Sequence, residues 1–197
     1  MGSPISNATM AHDPARDDRL ILVDGLDRQT GTATKWEAHA QGKLHRAFSV
    51  VLVRTRETRT ELLLARRAEG KYHSGGLWAN SCCSHPRAGE DVQTAAYRRV
   101  QEELGCDARG LVEVGAFAYR AVFQNGLAEH EYDHVLLGEC VGDPQPDPEE
   151  VGAVRWVEVE ALAAELAEKP ELFCAWAPMV LSITLAYLEQ LRQRDLF

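Results

Sequence analysis

The residues that most constrain this fold lie at 92–104. Val92, Ala95, Ala96, Val100 and Leu104 recur at helical spacing, and Gly105 follows the last of them. An apolar stripe of that period predicts an amphipathic helix, and a glycine at that place predicts its C-terminal cap. Ahead of it runs "EGKYHSGGLWANSCCSHPRAG", residues 69–89, which is Gly-rich and aperiodic. Connections that long inside a compact domain are usually functional. The chain must therefore fold around a long loop that feeds a packed helix.

The flanking segments alternate between strands and helices. "RLILVD" (19–24), 46–54, 61–68, "VGAFAYRAVF" (114–123), 131–142 and "AVRWVEV" (153–159) read as strands. The polar "TRETR" between the second and third is a hairpin loop, and "GDPQPDPEE" (142–150) a rigid acidic loop. "EALAAELAEKP" (160–170) and "PMVLSITLAYLEQLRQR" (178–194) read as helices, while residues 28–45 lead through a Gly-containing turn into the strand at 46–54. Strands and helices mixed around one core predict a layered α/β sandwich. Residues 1–18, small and polar with Pro4 and Pro14, are expected to be a loose arm, and 19–197 a single domain.

Bulk numbers narrow the function. The chain has 197 residues, of which 45% are hydrophobic and 26% charged, enough for one sizeable core. A net charge of −9 disfavours broad nucleic-acid or anionic-membrane binding but leaves room for a local basic pocket. No apolar run approaches the roughly 18–20 residues that cross a bilayer. The first twenty residues are polar, so no secretory leader is expected. Five cysteines without framework spacing point to a reduced, cytoplasmic setting.

"NSCCSHPRAGE" (80–90) places Cys83 two residues before His85. Three readings stay open: a metal site, a reactive thiol, or buried filler. A zinc site from Cys82, Cys83 and His85 is the poorest, because adjacent ligands strain tetrahedral geometry. His39, His45 and His85 are further candidates, and Glu129 and Glu131 flank His130. Alternate strand residues share a face, so both glutamates can reach one ion. Three imidazoles and two carboxylates suit Mn or Zn, and a six-ligand arrangement suits Mn or Mg.

The helix ends in Glu102-Glu103-Leu104-Gly105, with Arg98 four residues before Glu102 and Glu90 eight before Arg98. This spacing resembles the Nudix box, whose helical carboxylates gather divalent metals on a diphosphate. Two positions depart from it. Arg99 stands where a Nudix hydrolase carries a metal-binding glutamate, and Ser84 where the box opens with glycine. A guanidinium cannot ligate a metal but pairs well with phosphate. Either the helix keeps a diphosphate without cleaving it, or it is an ordinary solvated charged helix.

A more specific resemblance covers residues 35–180. "KWEAHAQGKLHRAFS" (35–49), "LLLARRAEGKYHSGGLWANSCCSHP" (62–86), "RRVQEELG" (98–105), "AYRAVF" (118–123), "EHEYDHVL" (129–136) and "FCAWAPM" (173–179) resemble type 1 isopentenyl diphosphate isomerases. The resemblance implies a Nudix-like, mixed-sheet α/β/α sandwich that interconverts isopentenyl and dimethylallyl diphosphate. It implies that Cys83 and Glu131 are catalytic, with Tyr119 at the active-site tyrosine position. His39, His45, His85, Glu129 and Glu131 would hold one divalent metal, with manganese expected first and zinc or magnesium as alternatives. Glu103, with the backbone carbonyl of Cys83, would hold a magnesium ion that arrives with the substrate. Lys35, Arg67, Lys71 and Arg99 would clamp the diphosphate, and Trp78 would line the pocket. The family's C-terminal pocket tryptophan falls at or near Trp176, with Pro178 the other occupant of that place.

The chemistry needs such residues. Protonating an unactivated alkene creates a tertiary carbocation-like centre, so the site must give one proton, take another and exclude water. The expectation is that Glu131 with Tyr119 protonates, that Cys83 as thiolate takes the second proton, and that the roles swap in reverse. Cys82 is expected to pack inward, with Cys106, Cys140 and Cys174 as filler. The rivals are a Nudix-type diphosphate hydrolase and a metal- or nucleotide-sensing module without turnover. The sequence leaves the oligomeric state open.

Overall fold

The structure is a computed structural model that describes residues 19–57 and 59–194. The expected N-terminal arm lies outside the described residues. Among the described residues, nine strands form one mixed sheet: β1 Arg19–Val23, β2 Gln29–Thr34, β3 His45–Arg56, β4 Arg59–Arg67, β5 Trp78–Ala79, β6 Cys82–Ser84, β7 Asp107–Val122, β8 Ala128–Val141 and β9 Val151–Glu158. Four α-helices accompany them: α1 Lys35–Gln41, α2 Val92–Leu104, α3 Val159–Glu168 and α4 Ala177–Arg194. Among the described residues no helix is long and apolar enough to cross a membrane.

Strand β3 is the hub. It pairs antiparallel with β1, β4 and β6 and parallel with β8. Its stretch "AFSVVLV" is continuously apolar apart from Ser49 because both of its faces are covered. Alternation sorts the side chains. Phe48, Val50 and Leu52 pack with Ala95, Ala96, Val100 and Leu104 of α2. Val51, with Leu62 and Leu64 of β4 and Val135 and Leu137 of β8, packs against Leu162 of α3 and Val180 and Leu181 of α4. Period-two strands thus give the sheet two apolar faces, each roofed by helix. This is the expected α/β/α sandwich.

Helix α2 has the expected ends. Asp91 caps its start by accepting from the Thr94 N–H at 2.9 Å, and Gly105 closes it at φ 59°. A side chain at Gly105 would meet the left-handed backbone penalty and collide with the carbonyl of Gln145.

Two segments differ from the sequence reading. Residues 28–45 contain β2 and α1 rather than a plain lead-in to β3. Helix α1 starts where the Thr34 hydroxyl accepts from the Glu37 N–H at 3.2 Å and ends at Gly42, φ 61°. The 69–89 stretch is not wholly loop, since β5 and β6 lie inside it, too short for any periodic signal. Buried polar side chains pin that stretch to the sheet. Ser81 accepts from the Leu52 N–H and donates to the Leu63 carbonyl, both at 2.7 Å. Asn80 donates to the carbonyls of Val50 and Cys82, both at 3.0 Å.

Candidate active site

The register of three strands builds the site. His45 on β3 lies opposite Glu131 on β8, and Glu131 lies opposite Tyr119 on β7. Four positions along β3, Ser49 pairs with Cys83 of β6 through the sheet ladder and shares its face with His45. Cys82 packs into the α2 layer, and Cys83 lies partly buried against the α4 layer. Alternation across this three-residue strand is what separates the two thiols.

Four ligand atoms, from His39, His45, His85 and Glu131, lie within 4.8 Å of one another. The Nδ1 atoms of His39 and His45 face the carbonyls of Lys35 at 2.7 Å and Lys43 at 2.8 Å. Donation to those carbonyls fixes the tautomer and leaves each Nε2 with its lone pair free. The Nε2 atoms of His45 and His85 are 3.2 Å apart, and His85 Nε2 lies 2.8 Å from Glu131 Oε1. His39 Nε2 is buried without a hydrogen-bond partner among the described residues. Burial lowers His39 and His85 to about 4, so both rings are neutral near pH 7. Burial opposes the Glu131 charge, but the imidazoles of His45 and His85 outweigh it and hold the carboxyl well below the usual range. Convergent imidazoles, a bare carboxylate and an orphaned buried nitrogen fit a divalent cation.

Glu129 stands beside this group rather than in it. Its Oε1 lies 2.7 Å from His73 Nε2, and its Oε2 accepts from the Tyr119 hydroxyl at 2.8 Å. The same hydroxyl lies 2.6 Å from Glu131 Oε2. Burial and the two carboxylates push Tyr119 well above the usual phenol range, so it keeps its proton.

Cys83, Glu131 and Tyr119 line one open cleft. The sulfur has three partners. The Trp176 indole N–H donates to it at 3.1 Å, the thiol faces Asn80 Oδ1 at 3.1 Å, and Ser49 Oγ lies at 3.5 Å. Burial, then the nearby Asp133 carboxyl, pushes the thiol well above its ordinary value, and the Trp176 N–H pulls it partly back. Behind Ser49 sits Asp133, 1% exposed, whose Oδ2 accepts from the Ser49 hydroxyl at 2.8 Å.

Lys35, Arg67, Lys71 and Arg99 line the same cleft, together with Glu103 and Glu150. Arg99 pairs with Glu103 and Lys71 with Glu150, and Arg99 also lies 3.8 Å from Glu150. Lys35 packs over the Tyr72 ring at 5.3 Å. Burial, then the Arg99 charge, lowers Lys35. A buried, cation-rich wall of this kind favours a polyanion.

Trp78 does not line the cleft. Its ring stands 4.3 Å from the Arg155 guanidinium and 6.0 Å from that of Arg66, which hold it on the β4–β9 side. Trp176, just ahead of α4, is the cleft tryptophan instead. It lies 6.5 Å from the Tyr119 ring and 5.4 Å from the Arg67 guanidinium. The sequence reading also passed over Ser49, Tyr72, His73, Asn80, Asp133 and Glu150. Asp133 could have been found by stepping two residues along β8 from Glu131, and His73 by its place in the loop before Cys83.

A helix-borne carboxylate in a mixed-sheet sandwich defines the class of this protein. The NUDIX domain family matches residues 43–177. The MutT NUDIX hydrolase structure from Burkholderia pseudomallei superposes with a TM-score of 0.56 at 20% identity, covering 71% of this chain and 96% of that one. At that identity the likeness speaks for the fold. Within that class, the chain belongs to the isopentenyl-diphosphate Delta-isomerases. It is 46% identical to the isopentenyl-diphosphate Delta-isomerase of Serratia proteamaculans over 81% of this chain and 87% of that protein. It is 44% identical to isopentenyl-diphosphate Delta-isomerase 2 of Aromatoleum aromaticum over 81% of this chain and 82% of that protein.

Proposed function

We propose that this enzyme interconverts isopentenyl and dimethylallyl diphosphate in isoprenoid biosynthesis, using Cys83 and Glu131 as its two proton-transfer groups. The observation that carries the reading is their shared cleft: a thiol and a carboxylate, with a cationic wall beside them. Near relatives carry the isomerase name, and Arg99 replaces a carboxylate that a Nudix hydrolase would use, which favours isomerisation over hydrolysis.

Lys35, Arg67, Lys71 and Arg99 hold the diphosphate, so the five-carbon unit reaches toward Cys83 and Glu131. The Tyr119–Glu131 pair gives a proton to the terminal alkene carbon. Positive charge then develops on the tertiary carbon. The sulfur takes a proton from the neighbouring CH₂, and the double bond moves one position with no net change in protons. In reverse the two groups exchange roles. With Tyr119–Glu131 giving, the proton leaves from the Tyr119 hydroxyl held on the Glu131 carboxylate; Cys83 must first be bare, and the Trp176 N–H is the donor that stabilises a thiolate there. Trp176 and Tyr119 offer aromatic surface to the cation, worth about 0.5–2 kcal/mol per contact.

His39, His45, His85 and Glu131 would hold a divalent metal, with manganese as our assignment and Glu129 as a further ligand. Such an ion lowers the proton affinity of the carboxylate it holds and fixes its orientation. Glu103 and the Cys83 carbonyl are assigned to a magnesium that arrives with the diphosphate. We place the work in the cytoplasm, in line with five free cysteines.

Incubation of the protein with isopentenyl diphosphate, Mn²⁺ and Mg²⁺, followed by proton NMR and a phosphate assay, tests the reading. The expected product is dimethylallyl diphosphate without phosphate release. Phosphate release would mark a hydrolase, and tight binding without turnover a sensor.

A further inference from the structure

Ser49 and Asp133 are built into the wall behind the sulfur, where packing alone would favour apolar residues. Ser49 is 1% and Asp133 1% exposed, between Ala47 and Val51 on β3 and beside Val135 on β8. Asp133 Oδ1 has no hydrogen-bond partner among the described residues. A buried carboxyl with one oxygen unpaired costs stability. Its Oδ2 spends itself on the Ser49 hydroxyl at 2.8 Å.

That bond decides what Ser49 offers the thiol. A hydroxyl has one proton and two lone pairs. With the proton committed to Asp133, only lone pairs turn to Cys83 Sγ at 3.5 Å. Asn80 is fixed in the same sense. Its amide N–H groups are spent on the carbonyls of Val50 and Cys82, so its oxygen faces the sulfur at 3.1 Å. The sulfur therefore meets two acceptors of set polarity and one donor, the Trp176 N–H. Released from Asp133, the Ser49 hydroxyl could rotate and offer its proton to the sulfur instead.

We propose that Asp133 is a positioning residue for the isomerisation, acting through the Ser49 hydroxyl to hold the Cys83 sulfur in its productive direction. The inference rests on the role given to Cys83 above. Asp133 does not line the cleft, whereas Ser49 does. A misplaced reacting group costs on the order of a hundredfold per ångström, so the effect belongs in kcat.

The test compares kcat and KM for isopentenyl diphosphate in the metal-loaded enzyme and its variants. Ser49→Ala and Asp133→Ala should each lower kcat about tenfold or more while KM stays within about twofold. Asp133→Asn keeps a carbonyl oxygen for Ser49 at nearly the same volume and should retain kcat within about threefold. In the Ser49→Ala background, changing Asp133 should bring no further loss, because coupled residues are not additive. Equal losses in both backgrounds would show Asp133 acting independently and overturn the proposal. Should Asp133→Ala fail to fold, Ser49→Ala and Asp133→Asn carry the test, both being small changes of volume. Full kcat in Ser49→Ala, with Cys83→Ala inactive, overturns this inference alone. Full kcat in Cys83→Ala overturns the functional reading beneath it.

Discussion

Trp176 donates its indole N–H to the sulfur of Cys83 at 3.1 Å, tying the residue before the last helix to a strand in the middle of the chain. Phenylalanine keeps the aromatic face and loses this donor. Trp176→Phe should lower kcat about tenfold, on the scale of a hydrogen bond to a charged group. Trp78→Phe, outside the cleft, should leave kcat within about twofold, since it removes no contact with the reacting groups. Steady-state kinetics of the two variants side by side checks both.

Arg99 stands where a hydrolase gathers metal, yet it lines the cleft with Lys35, Arg67 and Lys71. Arg99→Ala should raise KM for isopentenyl diphosphate about tenfold, with a smaller change in kcat, because charge-assisted contacts to phosphate hold substrate and transition state alike. Arg99→Glu should bind substrate worse still and release no phosphate. A phosphate assay alongside the isomerase assay reads both outcomes.

His39, His45, His85 and Glu131 converge within 4.8 Å. Manganese at about a hundredfold its dissociation constant should stabilise the native protein by about 2.7 kcal/mol, visible as a rise in melting temperature. His85→Ala should abolish most of that rise and lower the bound metal measured by elemental analysis. Glu129→Ala should reduce it less, since Glu129 pairs with His73 and Tyr119 outside the group of four.

The same histidines set a pH dependence in the metal-free protein. Burial lowers His39 and His85 from 6.5 to about 4, so between those values the unfolded chain binds protons that the native state refuses. Stability therefore falls as pH drops through that window, by an amount on the order of 3 kcal/mol per ring. Urea unfolding at a series of pH values checks the slope. His39→Gln should flatten it, and a native protein equally stable at both ends would contradict the assignment.

The parts of this fold that could be read from residues share one property: they bury a face with a period. The stripe on α2 and the alternation along β3 and β8 are long enough for packing to write a pattern. Helix α1 is too short for one and buries Ala38 and His39, so only Thr34 and Gly42, its caps, announce it. Strands β5 and β6 are shorter still. The site divides in the same way. Cys83, His85, Glu129 and Glu131 stand out because reactive residues cluster at short spacing. Ser49 and Asp133 look like ordinary strand positions until the β3–β8 pairing brings them together diagonally across the ladder. Glu150 hides in an acidic loop, and its tie to Lys71 joins residues 79 apart in the chain. Trp78 and Trp176 show that an aromatic residue near a motif does not reveal which way its ring turns.

Cys83→Ala should lose turnover by about a hundred- to ten-thousandfold, the usual weight of one positioned acid or base. Its melting temperature should stay near that of the native protein, because a partly buried thiol leaves little volume behind.

The most direct measurement is turnover of isopentenyl diphosphate in heavy water, followed by NMR of the product. Native enzyme should place solvent deuterium in a methyl group of dimethylallyl diphosphate, and neither Cys83→Ala nor Glu131→Gln should form that product at a comparable rate. Normal conversion by either variant, or product without solvent deuterium, would contradict proton transfer between this thiol and this carboxylate.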